Sequence, residues 1–213
     1  MIYNKKWLII TAHPDDLEAG CGGLVSKVIA NGGSVKNLIL VKPSVEENKR
    51  RNKQIVESEL QQSISVLKHQ TVVYDTPLHD NGRPNLELTN NLVSWAESQI
   101  EDSEMLVSHW REDYHQDHRV CYNVAQSISR KNFSQFWCMD YYPYNLHYSN
   151  FNCNLYVDIT EHIQNIHKAL ASYKSYHNKD SIQAILDYNK HRGNFIGKEK
   201  FAETFNLVYN KTL

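Results

Sequence analysis

The sequence has few cysteines, glycines and prolines. Its 213 residues include only four cysteines, and no two of them form a C-x-x-C pair or another close spacing that builds a structural zinc site. The thiols are expected to be isolated, so a reducing cytoplasm is the predicted compartment. Only 8 glycines and 5 prolines are present, which excludes collagen-like and low-complexity chains.

The sequence also has no long apolar run and no excess of one charge. The run WLIITA at 7–12 is too short for a secretory signal, and no other stretch approaches the roughly 18 residues of a membrane helix. The 23 lysines and arginines face 24 acidic residues, a formal net charge of -1. We therefore expect no nucleic-acid partner and no membrane anchor.

What is present suffices for a folded core, since 41% of the residues are hydrophobic and 22% are charged. Up to Lys131, short apolar runs alternate with segments whose apolar residues recur at helical spacing. The predicted strands are Lys6 to Ala12, Val35 to Val41, Thr71 to Tyr74 and Met105 to Ser108; the predicted helices lie within 20–31, 55–67, 88–100 and 120–128. This alternation predicts an α/β fold, a Rossmann-like three-layer sandwich with a mostly parallel sheet.

The pattern weakens beyond Lys131. Short strands are predicted at 136–139 and 155–157, and helices at 160–176 and 181–190. No repeat, linker or hinge separates this region from the rest, so we expect a single domain over residues 1–213.

The 11 histidines direct attention to metal and proton chemistry. His13-Pro14-Asp15-Asp16 comes directly after the first predicted strand, where open α/β sheets place their ligand crevices. Pro14 restricts the backbone, so one imidazole and two carboxylates leave the strand end on a stiff loop. An ordinary turn is the alternative interpretation.

A second cluster, His115-Gln116-Asp117-His118, follows another predicted strand and precedes a helix. A helix cap with solvated histidines is the alternative here. Because both clusters follow strands of one parallel sheet, their side chains are expected to meet at its carboxyl edge. Two imidazoles and one carboxylate, with water in the open position, make a catalytic zinc site, and the surplus groups can serve as base and oxyanion partner.

These residues resemble a known family. AHPDDLEAGCGG at 12–23 and HQDH at 115–118 are similar to the signature motifs of the de-N-acetylases that include the N-acetylglucosaminylphosphatidylinositol (PIG-L) and bacterial LmbE-like enzymes. The resemblance implies a zinc-dependent hydrolase, with another divalent metal as an option. Such an enzyme removes an N-acetyl group from an amino sugar or sugar conjugate and releases acetate.

The resemblance also implies a role for each motif residue. His13, Asp16 and His118 are expected to bind the metal, and Asp15 is expected to act as the base. The developing oxyanion would face His115, which Asp117 would hold in orientation.

Substrate contacts are expected outside the motifs, at Arg192, His147 and Tyr142. His109 and Asp113 flank the second motif and are candidates for the pocket. Four other histidines are expected at the surface or in structural roles: His162, His167, His177 and His191. The partner implied by the family is a small N-acetylated sugar or glycoconjugate, and a homo-oligomer is compatible with the sequence.

Two other functions are kept as alternatives. A carbohydrate-binding module could retain the metal without catalysis, although Asp15 and His115 are unnecessary for metal binding alone. Gly20-Cys21-Gly22-Gly23 after a strand suggests nucleotide binding, but the full G-x-G-x-x-G is missing and no acidic residue ends the second strand.

Overall fold

The structure is a computed structural model that describes residues 2–43, 52–144 and 150–211. Its strands are β1 Lys6–Thr11, β2 Ser34–Ile39, β3 Gln70–Val73, β4 Met105–Ser108, β5 Gln135–Met139, β6 Leu155–Asp158 and β7 Ala202–Asn210. Its α-helices are α1 Asp16–Ala30, α2 Lys53–Leu67, α3 Asn90–Ser98, α4 Gln116–Ile128, α5 Ile163–Leu170 and α6 Lys179–Gly193.

These strands form one sheet in the order β3-β2-β1-β4-β5-β7-β6. The first five are parallel, and β7 runs antiparallel to both β5 and β6. The predicted α/β sandwich with a mostly parallel sheet is therefore confirmed.

The central strand β1 is buried on both sides, as its unbroken apolar sequence predicts. Trp7 and Ile9 belong to the core beneath α1, α5 and α6, whereas Leu8 and Ile10 belong to the core beneath α3 and α4. The neighbours of β1 are β2 and β4, with Ile10 level with Ser108. The segments that follow β1 and β4 consequently leave adjacent strands at the same edge of the sheet.

The first helix begins earlier than the sequence pattern predicts, at Asp16, and is kinked at Cys21, where φ is -155°. The kink frees two backbone N–H groups, which donate to the buried carboxylate of Glu203 at 2.6 Å from Gly23 and 2.7 Å from Leu24. The close approach needs glycine, because a Cβ on Gly23 would lie 2.6 Å from Ile159.

The region after β6 differs from the single helix predicted at 160–176. A 3-10 turn at Thr160–His162 leads into α5, which ends at Leu170. The turn that follows α5 contains Tyr173. The buried hydroxyl of Tyr173 donates to Pro14 O at 2.6 Å and ties this turn to the loop after β1. In the described part of the chain, no helix is both long and apolar enough to cross a membrane.

Candidate metal centre

The first histidine-aspartate motif forms the tight loop between β1 and α1. Asp16 folds back so that its Oδ2 accepts backbone hydrogen bonds from Ala12 at 2.9 Å and His13 at 2.7 Å. Its side chain is 2% exposed, whereas that of His13 is 24% exposed. The loop therefore buries the Asp16 carboxylate and leaves His13 at the rim.

The second motif follows β4 and starts α4. His115 precedes the helix, and its Nδ1 accepts a hydrogen bond from the Asp117 backbone N–H at 3.2 Å. The His115 backbone N–H donates to Asp113 Oδ1 at 2.8 Å. His118, 1% exposed, points its Nδ1 toward Asp113 Oδ2, 3.1 Å away. Asp113 thus orders the loop, and its position beside Nδ1 leaves His118 Nε2 facing Asp16.

Imidazoles from both loops converge on Asp16. His118 Nε2 lies 3.4 Å from Asp16 Oδ1, and His13 Nδ1 lies 3.6 Å from Oδ2. His109 Nε2 is 3.2 Å from Oδ2, and its ring stacks on His118 with centroids 3.7 Å apart. Two donors bound to one tetrahedral Zn²⁺ at about 2.0–2.1 Å lie about 3.3–3.4 Å apart. The spacings of Asp16 from His118 and His109 are close to this value, and that from His13 is slightly longer.

The potential ligand atoms form two overlapping groups, each within 4.8 Å. One group contains His13, His115 and His118, and the other contains Asp16, His109 and His118. The predicted ligand set, His13, Asp16 and His118, differs from both groups and takes members from each. Imidazole and carboxylate donors of this kind suit Zn²⁺ and related divalent ions.

The charges of the site balance around Asp16. Burial opposes ionisation of Asp16, but its interactions with His118, His109 and His13 outweigh it and hold the pKa of Asp16 well below its usual range. Burial likewise opposes protonation of His13 and His118, yet the Asp16 carboxylate raises the pKa of His13 to about 10 and that of His118 to about 9. The cluster is built to hold positive charge, for which protons and a metal ion compete.

Two other imidazoles favour the neutral form. Burial lowers the pKa of His109 to about 4, with a further contribution from the charge of His118. Burial also lowers the pKa of His115, and the charges of His13 and His118 add to this effect. Because His115 Nδ1 accepts from a backbone N–H, the neutral ring carries its proton on Nε2. In this form Nε2 is a hydrogen-bond donor.

Asp117, which is expected to hold His115 in orientation, contacts two histidines in different ways. Asp117 Oδ2 lies 3.2 Å from His13 Nε2 but 3.9 Å from His115 Nδ1. The backbone of Asp117 holds His115, and its side chain contacts His13.

A cavity of about 550 Å³ opens over the cluster. Its floor includes Asp15 and the motif histidines, and Tyr142 is among the aromatic residues of its wall. The other candidate substrate contacts differ: Arg192 is not among the described residues that line the cavity, and His147 lies outside the described residues. The Arg192 guanidinium donates to Asp140 Oδ2 at 2.7 Å and to Tyr188 Oη, so its charge is already matched.

Three contacts were not assigned from the sequence. The flanking candidates His109 and Asp113 contact Asp16 and His118 directly. His177, expected at the surface or in a structural role, lines the cavity 3.0 Å from Asp15. The spacing of His109 and Asp113 before the motif was a usable signal, whereas His177 is distant in sequence and carried none.

Solved structures share this fold across nearly the whole chain. A conserved protein from Thermus thermophilus has a TM-score of 0.79 at 20% identity, over 97% of this chain and 95% of that one. An N,N'-diacetylchitobiose deacetylase from Pyrococcus horikoshii has a TM-score of 0.74 at 18% identity, over 96% and 84%. A 4-carboxy-2-hydroxymuconate hydratase from Pseudomonas putida has a TM-score of 0.78 at 13% identity, over 98% of both chains.

At these identities the neighbours establish the fold alone, and they include both deacetylases and a hydratase. No curated protein sequence matches the chain. The sequence model of the GlcNAc-PI de-N-acetylase family, PIG-L, matches residues 8–129, which is more than half of the chain and contains both motifs. The resemblance is thereby confirmed: this chain belongs to the GlcNAc-PI de-N-acetylase (PIG-L) family.

Proposed function

We propose that this chain is a metal-dependent hydrolase that removes the N-acetyl group from an N-acetylated amino sugar or sugar conjugate and releases acetate. The observation that carries the proposal is the convergence of both family motifs on buried Asp16, beneath a cavity that also contains Asp15.

His13, Asp16 and His118 would hold the metal, with zinc as the natural choice for this donor set. When bound, a divalent ion supplies a Lewis acid that polarises an amide carbonyl and lowers the pKa of water. The spacing of these donors around Asp16 supports this assignment.

Asp15 is the proposed general base. Its carboxylate lies in the cavity floor next to the cluster, and it is 11% exposed. Asp16 uses its oxygens for two backbone N–H groups and the histidines, so Asp15 is the aspartate of this loop that remains to accept a proton from water.

His115 is the proposed partner of the oxyanion. Its Nε2–H donates to the amide oxygen as negative charge develops there, because Nδ1 is held by the Asp117 backbone. Asp117 positions both His115 through its backbone and His13 through its carboxylate.

The cavity supports a small-molecule partner, and its Tyr-rich wall suits a sugar ring, since tyrosine combines an aromatic face with a hydroxyl. Tyr142 is the proposed substrate contact in this wall. We further propose that the chain acts as one domain in the cytoplasm.

A mass-spectrometric screen tests this proposal. The zinc-loaded chain is incubated with a panel of N-acetylated amino sugars and their conjugates, and each product is examined for loss of an acetyl group with release of acetate. The Asp15→Asn variant is the matched control and should be nearly inactive. Saturable binding without turnover across the panel would instead support the carbohydrate-binding module.

A further inference from the structure

His177 lies in the turn between α5 and α6 and reaches the proposed base. Its Nε2 is 3.0 Å from Asp15 Oδ2, and both side chains are 11% exposed. Both also line the cavity. The contact is therefore a part of the cavity wall that is largely shielded from bulk water.

The buried Nε2 of His177 has no partner in hydrogen-bond geometry among the residues that the structure describes, and its 3.0 Å contact with Asp15 Oδ2 is a close approach of a possible ion pair. A buried polar nitrogen without a hydrogen-bond partner is unfavourable, and rotation of the imidazole or of the carboxylate would let Nε2 donate to Asp15. On its other side, Nδ1 lies 3.4 Å from Ser181 Oγ at the start of α6. The ring thus bridges the first turn of α6 and the catalytic loop.

The same turn holds the preceding residue of the loop. Tyr173 Oη donates to Pro14 O at 2.6 Å, and the His177 backbone N–H donates to Tyr173 O at 2.8 Å. Two residues of one turn therefore hold two consecutive residues of the loop, Pro14 by its carbonyl and Asp15 by its carboxylate.

We propose that His177 is a positioning residue for Asp15 in the deacetylation reaction; this inference rests on the proposed function. With Oδ2 engaged by His177, Asp15 keeps Oδ1 free and directed to accept the proton of the attacking water. A carboxylate whose rotation is restricted in this way spends more of its time in the reactive orientation. His177 belongs to neither group of potential metal ligands among the described residues, and its proposed effect is exerted through Asp15.

The test compares two substitutions at one position. His177→Leu removes the donor, whereas His177→Gln can place an amide nitrogen where Nε2 lies. His191→Leu is the control, because His191 is an exposed histidine on α6. Each variant is assayed for zinc content, melting temperature, kcat and KM, using the N-acetylated amino sugar that wild type hydrolyses fastest in the screen above.

Loss of a contact of this kind typically lowers activity about 10–100-fold. We expect His177→Leu to lower kcat by that factor with KM, zinc content and melting temperature close to wild type. His177→Gln should recover most of the loss, and His191→Leu should behave as wild type. In an Asp15→Asn background, His177→Leu should change kcat by less than about twofold, because the group that it positions is already lost.

Wild-type kcat in His177→Leu, or equal losses in the Leu and Gln variants, would overturn the inference while leaving the proposed function intact. If His177→Leu does not fold, His177→Asn replaces it, since its amide is too short to reach Asp15 and should give the same loss of kcat. Absence of turnover in wild type on every member of the panel would instead refute the proposed function.

Discussion

The molecule divides into two regions that contribute differently to the cavity. The motif region, the described residues up to 128, supplies every candidate metal ligand, from the loops after β1 and β4. The wall region, the described residues from 133 onward, supplies aromatic side chains and His177 from the segments after β5 and between α5 and α6. The family model covers 8–129 and so ends with the motif region.

This difference indicates where the reaction and the choice of substrate are encoded. Chemistry in the motif region depends on short sequence runs held at adjacent strand ends. Shape in the wall region depends on how the antiparallel strands β6 and β7 extend the sheet and on how α5 and α6 pack. Substitutions of the motif residues should change kcat or metal content. Substitutions in the wall region should change KM or stability, except at His177, which is proposed to act on kcat through Asp15.

The largest effect is expected at the two adjacent aspartates of the motif region. Asp15→Asn should lower kcat about 10²–10⁴-fold, the usual cost of losing a general base, and retain zinc. Asp16→Asn should lose zinc, because a neutral amide is a poorer ligand than a carboxylate. Metal analysis with acetate-release kinetics separates the two, and the reverse pattern would exchange their assigned roles.

The next largest effect is a loss of stability in the wall region. A Cβ on Gly193 would lie 1.9 Å from the Lys200 carbonyl oxygen, so Gly193→Ala forces the backbone apart. We expect a loss of about 3 kcal/mol in the free energy of unfolding. Gly22→Ala is the matched control in the motif region, since its Cβ would meet nothing closer than 3.7 Å, and urea denaturation should find it neutral or slightly stabilised.

A smaller effect concerns His69, a motif-region residue away from the cavity. Its ring is buried, neither nitrogen has a partner among the described residues, and burial lowers its pKa to about 4. The unfolded chain, with a pKa near 6.5, binds the proton first, so the contribution of His69 to stability is present above pH 6.5 and is lost as the pH falls toward 4.

Comparison with His69→Leu isolates this contribution. Between pH 7 and pH 5, the stability of wild type relative to the variant should fall by about 2 kcal/mol. Denaturation curves at several pH values measure it, and a difference that stays constant would show that His69 is protonated equally in the folded and unfolded chains.

The smallest effect is expected at Tyr142 in the wall. Tyr142→Ala should raise KM about tenfold and leave kcat and zinc content nearly unchanged, since the ring is proposed to bind the substrate in the ground and transition states alike. Tyr142→Phe keeps the ring and is the control. A large fall in kcat with unchanged KM would place Tyr142 in the chemistry and weaken the division between the two regions.

The same division explains what the sequence could predict. The parallel strands and both motifs were readable, because a buried strand followed at once by His and Asp is a local pattern. The order of the strands at the β6 edge of the sheet could not be predicted, since β7 lies between β5 and β6 through pairings distant in sequence. Contacts such as His177 with Asp15 likewise depend on tertiary packing that joins residues 162 positions apart.

The role of Asp117 shows a finer limit. Sequence position placed it beside His115, but the helix start turns its backbone toward that ring and its carboxylate toward His13. Which atom of a residue makes a contact depends on local backbone geometry that the motif alone does not specify.

The central claim is that the two motifs form one metal centre through His13, Asp16 and His118. Anomalous scattering at the zinc edge from a zinc-loaded crystal tests it most directly. We predict one ion bonded by these three side chains, with zinc–nitrogen distances of about 2.0–2.1 Å and an open position facing the cavity. An ion bound instead by Asp16, His109 and His118, with His13 unligated, would contradict it.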